Sequence, residues 1–595
     1  MDEIYRPWTA EESLGELTLH RDWDYMASMI SSLRVYLFDH GTIPTWNFLV
    51  CGGRPELAIP SSWAYSWPSL FAYLLPPNLA IITTWVILSA IGFWAVRALL
   101  LRWTGSSLGA LAGAGVYVFS GYFAVRFNLG QVGFSFFHLV PVLMWIFERA
   151  YAPGHAGKIR TAPIVLMTLA SFAFFTSGIP QGLMFFYPAF LLLIVFRIVE
   201  SSRGAGWGAS LGAAGAPLLA HLLGLWMAAY KIWPPIRWQL DHPRFAVLPE
   251  SYDLGRTLGN TLDFVPHYIG PWKQAAWQVY PAAGYNAFVG LVPWLLALLA
   301  LAALAVLGRR STGERLKAST GWTIGYALAL LFAGLSLSLG NDNPWSPASL
   351  FRHLPVFEGV RSFARYQILS IFSLGIFTAV GIASLEAFGW KIGKLLSRLA
   401  AFAACAPVLA QAMLLIWNID ALPHAGILAR YDSPGRPDRP TLMAMVPVYG
   451  PSVKPEERLA FIEAGYWATN CKEDILLPGI MRRERVGSRK ELTSPPPERL
   501  VALKRNRIVL SYEPGDPLQG YRVNLPLLDT FRLNVPLVSY LGKEKVWFRR
   551  GELPRGRLEI TAAYDGPAAG LRASLAGLVA ALLFLGVMLR PAGRP

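Results

Sequence analysis

Two aspartates flank a tryptophan near the start of the chain, in LHRDWDYMASM at residues 19–29. Asp22 and Asp24 are the first side chains here that could carry an acid–base step. A carboxylate at a membrane face can take the proton of an acceptor hydroxyl. Two residues apart, the pair does not share a face on a regular helix, so one can point inward while the other caps the helix. The alternative is structural: both serve as N-cap acids favoured by the helix dipole. A second pair lies in LPVFEGVRSFARYQ, where Arg361 and Arg365 are four residues apart and precede an apolar run. On a helix they share a face, and two guanidiniums can grip a lipid phosphate by paired hydrogen bonds and stabilise it as it leaves. Tyr366 and Arg352 are close enough in sequence to help. Interfacial snorkelling is the simpler reading of such arginines, but short loops on this side of the membrane are otherwise poor in positive charge. The loop 234–285 adds Asp241, His242, Glu250, Asp253, Asp263 and His267 without metal-ligand spacing; Glu250 is its candidate second carboxylate.

The elements that must position these groups are membrane helices. Of the 595 residues, 54% are hydrophobic and only 15% charged, against about 25% charged in soluble domains. About eleven apolar runs are long enough to read as spans: 79–101, 107–125, 132–148, 161–178, 181–199, 207–231, 286–307, 320–340, 366–388, 399–418 and 572–590. Every second loop is basic, from Arg102 through Arg149, Lys158, Arg197, Arg203, Arg309, Lys391 and Arg398 to Arg590. The positive-inside rule puts those loops in the cytoplasm. The opposite, extracytoplasmic side then receives residues 1–78, loops 234–285 and 341–365, and the segment 419–570. The net charge of +16 belongs to these basic loops and to headgroups; no nucleic-acid motif accompanies it. Cys51, Cys405 and Cys471 form neither a disulfide framework nor a zinc pattern.

Within residues 1–78, Met26, Ile30, Leu33 and Leu37 recur at helical spacing. They predict an amphipathic helix lying on the membrane surface, with Trp63, Tyr65 and Trp67 in an interfacial belt. The opening MDEIYRPWTAEESLGEL is acidic and has no apolar core of a cleavable signal. The expectation is a translocated tail or a first helix encoded upstream. Segment 419–570 carries alternating runs, RIVLSYEP, YRVNLPLL, EKVWFRR and RLEITAAYD, that predict a β-rich domain. Residues 571–595 give the last span and a basic tail. Arg97 and Arg126 fall near span ends, where snorkelling accounts for them, and His138 and His221 lie within spans.

Residues 22–68 resemble the first external loop of the YfhO-like membrane proteins of the GT-C glycosyltransferase superfamily. The family shows an aspartate, a short amphipathic stretch and a G-x-x-P-x-W-N-x-x-x-x-G-G-x-P loop; here these loop positions are Gly41, Pro44, Trp46, Asn47, Gly52, Gly53 and Pro55. NLGQVGFSFFHLVPVLMWIFERA, SGIPQGLMF, DFVPHYIGPW, LPVFEGVRSFARYQILS and YEPGDPLQGYRVN follow in the family's order, so the likeness covers nearly the whole chain.

The resemblance implies a GT-C fold of helices 79–418 with an extracytoplasmic catalytic face. It implies a polyprenyl-phosphate sugar donor and a glycan, lipid or protein acceptor in the cell envelope, at the inner (plasma) membrane. The loop aspartate maps onto Asp22, as acid–base group or as holder of a divalent metal (Mg or Mn), with Asp24 second. Trp46, Asn47, Gln131 and Gln181 would line the substrate site, Trp46 and Asn47 with loop packing as the even alternative. Where the family often has histidine, this chain has Gln131 and Ile179; glutamine can bond a hydroxyl but shuttles no proton. Two other classes stand beside this one: a transporter of a lipid-linked glycan, and a non-catalytic assembly scaffold.

Overall fold

The computed structural model describes residues 26, 29–30, 32–39, 41–47, 54–59, 62–128, 130–151, 161–177, 180–241, 252–262, 287–307, 314–351, 363–387, 391–420, eight short strands between 445 and 562, and 566–589. The described chain is mostly helical and falls into two compact units. One comprises residues 1–83, 229–245 and 422–573, the other 84–228, 246–421 and 574–595.

In the first unit, Met26, Ile30 and Leu33 are all buried. The helical stripe that the spacing predicts is therefore covered by protein, not laid on lipid. Periodicity reveals an apolar face without revealing what covers it. Trp63 is likewise 1% exposed, so it belongs to the core and not to an interfacial belt. A short π-helical turn, Val35–Asp39, ends the segment. Strands β1 (Trp46–Asn47) and β2 (Arg54–Pro55) then pair antiparallel. Helix α1 (Ser69–Leu74) is capped by Arg34, whose Nη1 donates to the carbonyls of Tyr73 (3.0 Å) and Leu75 (2.8 Å). These are the orphan acceptors every helix end leaves.

The C-terminal part of this unit carries strands β3 (Met445–Val446), β4 (Trp467–Ala468), β5 (Glu498–Leu503), β6 (Arg507–Tyr512), β7 (Tyr521–Val523), β8 (Phe531–Leu533), β9 (Val546–Phe548) and β10 (Arg557–Ala562). The largest sheet runs β5-β6-β10-β8, all antiparallel, with Val509 opposite Glu559.

The second unit takes in most of the long helices. In chain order the helices are α2 (Pro77–Thr104), α3 (Ser107–Val118), α4 (Gly121–Asn128), α5 (Leu139–Ala150), α6 (Thr161–Thr176), α7 (Pro180–Phe185), α8 (Tyr187–Ala205), α9 (Trp207–Met227), α10 (Ala229–Asp241, first unit), α11 (Leu254–Leu262), α12 (Leu291–Leu307), α13 (Glu314–Leu337), α14 (Gln367–Ala387), α15 (Lys391–Asp420) and α16 (Gly566–Leu589). Among the described residues, five helical stretches are long and apolar enough to cross a membrane: 79–104, 132–150, 207–227, 363–387 and 392–414. The pair α3–α4, bent by 41°, makes a sixth if it counts as one span, and residues 161–176, 291–305, 321–337 and 571–584 form shorter apolar helices. The run 181–199, which reads as one span, is broken between α7 and α8. Pro188 at the start of α8 has no N–H to continue the ladder.

Helix α14 is the axis of this unit: every residue from Gln367 to Ile382 is buried. A helix apolar all round is a buried helix. Glycines bring its neighbours close: a Cβ at Gly109 of α3 would sit 2.5 Å from the Ala379 carbonyl oxygen, and one at Gly375 would sit 2.8 Å from that of Gly113. Small residues at helix crossings are how helices pack where lipid supplies no hydrophobic drive. Polar side chains add ties. His221 of α9 bonds Ser171 of α6 through Nδ1 (2.7 Å) and Tyr187 of α8 through Nε2 (2.6 Å).

Candidate functional site

The bend between α3 and α4 builds the first half of the site. Helix α3 ends at Val118, the Ser120 hydroxyl donates to the Tyr117 carbonyl (2.9 Å), and α4 restarts at Gly121. Gly130 then reverses the chain at φ +72°, a left-handed value that glycine adopts without strain. The reversal lets the Gln131 amide donate to the Arg126 carbonyl (2.8 Å). It also puts the Gln131 side chain against Arg126, whose Nη1 donates to Oε1 at 2.8 Å. The 3-10 turn Val132–His138 follows and places the Phe134 ring under the same guanidinium, 3.9 Å from its Cζ. Tyr122, one helical turn before, offers its ring at 4.3 Å. Arg126 is 1% exposed.

The second half comes from the 3-10 turn Phe363–Tyr366 that opens α14. Its Arg365 lies over the same Phe134 ring at 5.2 Å and over Phe185 of α7 at 5.8 Å. The Tyr122 hydroxyl donates to the Arg365 carbonyl (3.2 Å), fixing this turn to α4. Two arginines thus share one phenyl ring, each on a different element. Cation–π contacts of this kind contribute about 0.5–2 kcal/mol and help to hold the guanidiniums in place. A fixed pair of forks beside aromatic rings can bind an oxyanion that carries an apolar group.

Of the residues singled out in the sequence, Gln131 and Arg365 come together here. Gln181 lies in α7, the helix that also supplies Phe185. Asp22, Asp24 and Arg361 lie outside the described residues, as do His242, Glu250, Asp263 and His267. Arg126 was not foreseen in this role. Its position near a span end predicts snorkelling, yet it is buried. The signal in the sequence was its spacing, four residues after Tyr122 and five before Gln131.

Trp46 and Asn47 belong to the first unit, in β1. The Asn47 side chain is fully buried, and its amide nitrogen donates to Ser32 Oγ and Glu56 Oε1, both at 2.8 Å. Ser62 donates to the other oxygen of Glu56. A buried carboxylate must have its acceptors filled, and this loop supplies the donors. Lys231 of α10 donates to the carbonyls of Ser62 (2.9 Å) and Ile59 (3.3 Å), and Tyr230 to that of Tyr65 (2.7 Å). Burial, with Tyr65 and Glu56 nearby, raises the Tyr73 phenol above its ordinary value. Asn47 therefore organises the loop from inside. No group of three or more His, Cys, Asp or Glu suited to a metal ion occurs among the described residues.

Comparison with known proteins returns no match to this chain among protein-family models, curated proteins or solved structures.

Proposed function

We propose that this chain is a GT-C-type glycosyltransferase of about eleven spans. It moves a sugar from a polyprenyl-phosphate carrier to an extracytoplasmic cell-envelope acceptor, with residues 419–570 as a β-rich domain on the same outer side. The observation that supports the reading most is the Arg126–Arg365 pair over Phe134. The two guanidiniums grip the carrier phosphate, and the aromatic rings take the first isoprene unit. Asp22 accepts the proton of the acceptor hydroxyl, with Asp24 in second place. The hydroxyl oxygen bonds to the anomeric carbon as the bond from that carbon to phosphate oxygen breaks. The carrier leaves as its phosphate, held by the arginines, and the sugar inverts. Gln131 holds Arg126, and Gln181 borders the sugar.

Sugar transfer by the full chain in proteoliposomes tests this. Arg365→Gln is expected to lower transfer at least ten-fold and Asp22→Asn to abolish it. Unchanged transfer by either variant removes that residue from the mechanism. The bent pair α3–α4 favours a second reading, a carrier of lipid-linked glycan, since broken helices line transport sites. Movement of the lipid-linked sugar between leaflets without transfer to any acceptor would favour it.

A further inference from the structure

At the other end of α8, charged side chains surround a cavity that the glycosyltransferase reading leaves unused. Glu148 of α5 is fully buried and pairs with Arg197 of α8, whose Nη2 donates to Oε2 at 2.9 Å and whose Nε lies 2.7 Å from Oε1 as an ion-pair contact. Arg102 of α2 adds a third contact at 3.3 Å. The remaining Nη1 of Arg197 reaches Glu200 through Oε2. The Arg197 guanidinium also lies 4.5 Å from the Trp322 ring centre. Two arginines and two glutamates therefore balance, and a simple anion gains nothing by entering.

The cavity has about 310 Å³ and is lined by Tyr151, Arg197, Glu200, Ser201 and Ala205. Its hydroxyls form a directed string. Tyr151 bonds Ser201, Ser201 donates to Ser210 at 2.8 Å, and Ser210 donates to the Gly206 carbonyl at 2.9 Å. Tyr151 also donates to the Arg197 carbonyl at 3.2 Å, so towards a further group its phenol oxygen acts as an acceptor. The wall thus offers a carboxylate and a phenol oxygen, both acceptors. Arg203 is exposed and stands three residues after Glu200, hence beside it on the helix surface. Gly206, at φ +80°, turns the chain into α9, whose first residue, Trp207, is 59% exposed. An exposed tryptophan and an exposed arginine at a helix end mark the headgroup level of a bilayer. This end also carries the basic loops.

We propose that this cavity binds the headgroup of a zwitterionic aminophospholipid, phosphoethanolamine on a diacylglycerol. The primary ammonium brings three N–H donors to Glu200 and Tyr151, and the phosphate meets Arg203. A trimethylated choline headgroup has no N–H to give. A glycerol headgroup leaves Glu200 facing an anion.

Native mass spectrometry of the full chain in detergent, with phosphatidylethanolamine, phosphatidylcholine or phosphatidylglycerol of matched acyl chains, tests the proposal. The ethanolamine lipid is expected to be retained about ten-fold over either rival, the effect of one charge-assisted hydrogen bond. Glu200→Gln is expected to erase that preference. Ala205→Trp fills the cavity, leaves the ion pairs intact and is expected to do the same. Soluble glycerophosphoethanolamine competes if the headgroup alone suffices for binding, and fails to compete if the acyl chains are needed. Equal retention of the three lipids, tighter retention of the glycerol lipid, or a preference surviving both substitutions overturns the proposal.

Discussion

Gly109→Ala is the sharpest test of how the helical unit is held together. A Cβ there lies 2.5 Å from the Ala379 carbonyl oxygen and 3.2 Å from the Ala379 Cα. Backbone cannot swing aside as a side chain can, so α3 and α14 must part by about half an ångström. Overpacking of this kind costs about 2 kcal/mol, while Gly→Ala in a helix returns up to about 1 kcal/mol. The net expectation is a loss of about 1 kcal/mol. Gly212 of α9 supplies the control, because a Cβ there meets nothing within 4 Å. Only the propensity gain acts, and Gly212→Ala is expected to stabilise by about 0.5–1 kcal/mol. Thermal unfolding of both variants in one detergent, followed by tryptophan fluorescence and size exclusion, gives the comparison. Equal effects of the two substitutions refute the close α3–α14 crossing. The crossing also bears on the site: α3 leads through the bend to Arg126, and α14 begins at Arg365. A separated Gly109→Ala protein is therefore expected to bind a lipid phosphate more weakly even when it is folded.

Glu148→Gln removes the buried carboxylate partner of Arg197. Breaking a buried ion pair from one side costs about 3–5 kcal/mol, and the lower end applies here because Glu200 and Trp322 still face Arg197. The double variant Glu148→Leu with Arg197→Met is expected to recover most of that loss in the same unfolding assay, and no recovery contradicts the assignment. Asn47→Ala leaves Glu56 Oε1 and Ser32 Oγ short of a donor. The expected cost is about 2–3 kcal/mol, read as faster proteolysis within residues 41–66; proteolysis at the wild-type rate counts against it.

Arg365 and Gln131 were legible in the sequence because motif order marks positions without needing distances. Arg126 was not, because a charge near the end of an apolar run reads as snorkelling. Only the chain reversal at Gly130 shows that it turns inward. The break between α3 and α4 was hidden for a related reason. VYVFSGYFAVRF is apolar apart from Ser120 and Arg126 and contains no proline, so hydropathy runs through the bend. Pro188 could have announced the break before α8, but apolar flanks masked it. The stripe Met26, Ile30 and Leu33 gave the helix without its environment, since lipid and protein interiors select the same side chains. Glu56 went unnoticed because a lone glutamate in a loop has no pattern. Its importance comes from Asn47, Ser62 and Ser32 closing around it in space.

The most direct test of the central claim is the affinity of the full chain for polyprenyl phosphate against polyprenol. It is measured for wild type, Arg126→Gln, Arg365→Gln and the double variant, with Arg126→Lys to separate charge from fork geometry. The phosphate is expected to bind at least ten-fold tighter than the alcohol, and each single substitution is expected to remove most of that preference. The double variant should lose little more than either single one, because both arginines act on one phosphate. Equal affinity for phosphate and alcohol in the wild type, or a preference that survives loss of both arginines, contradicts the account.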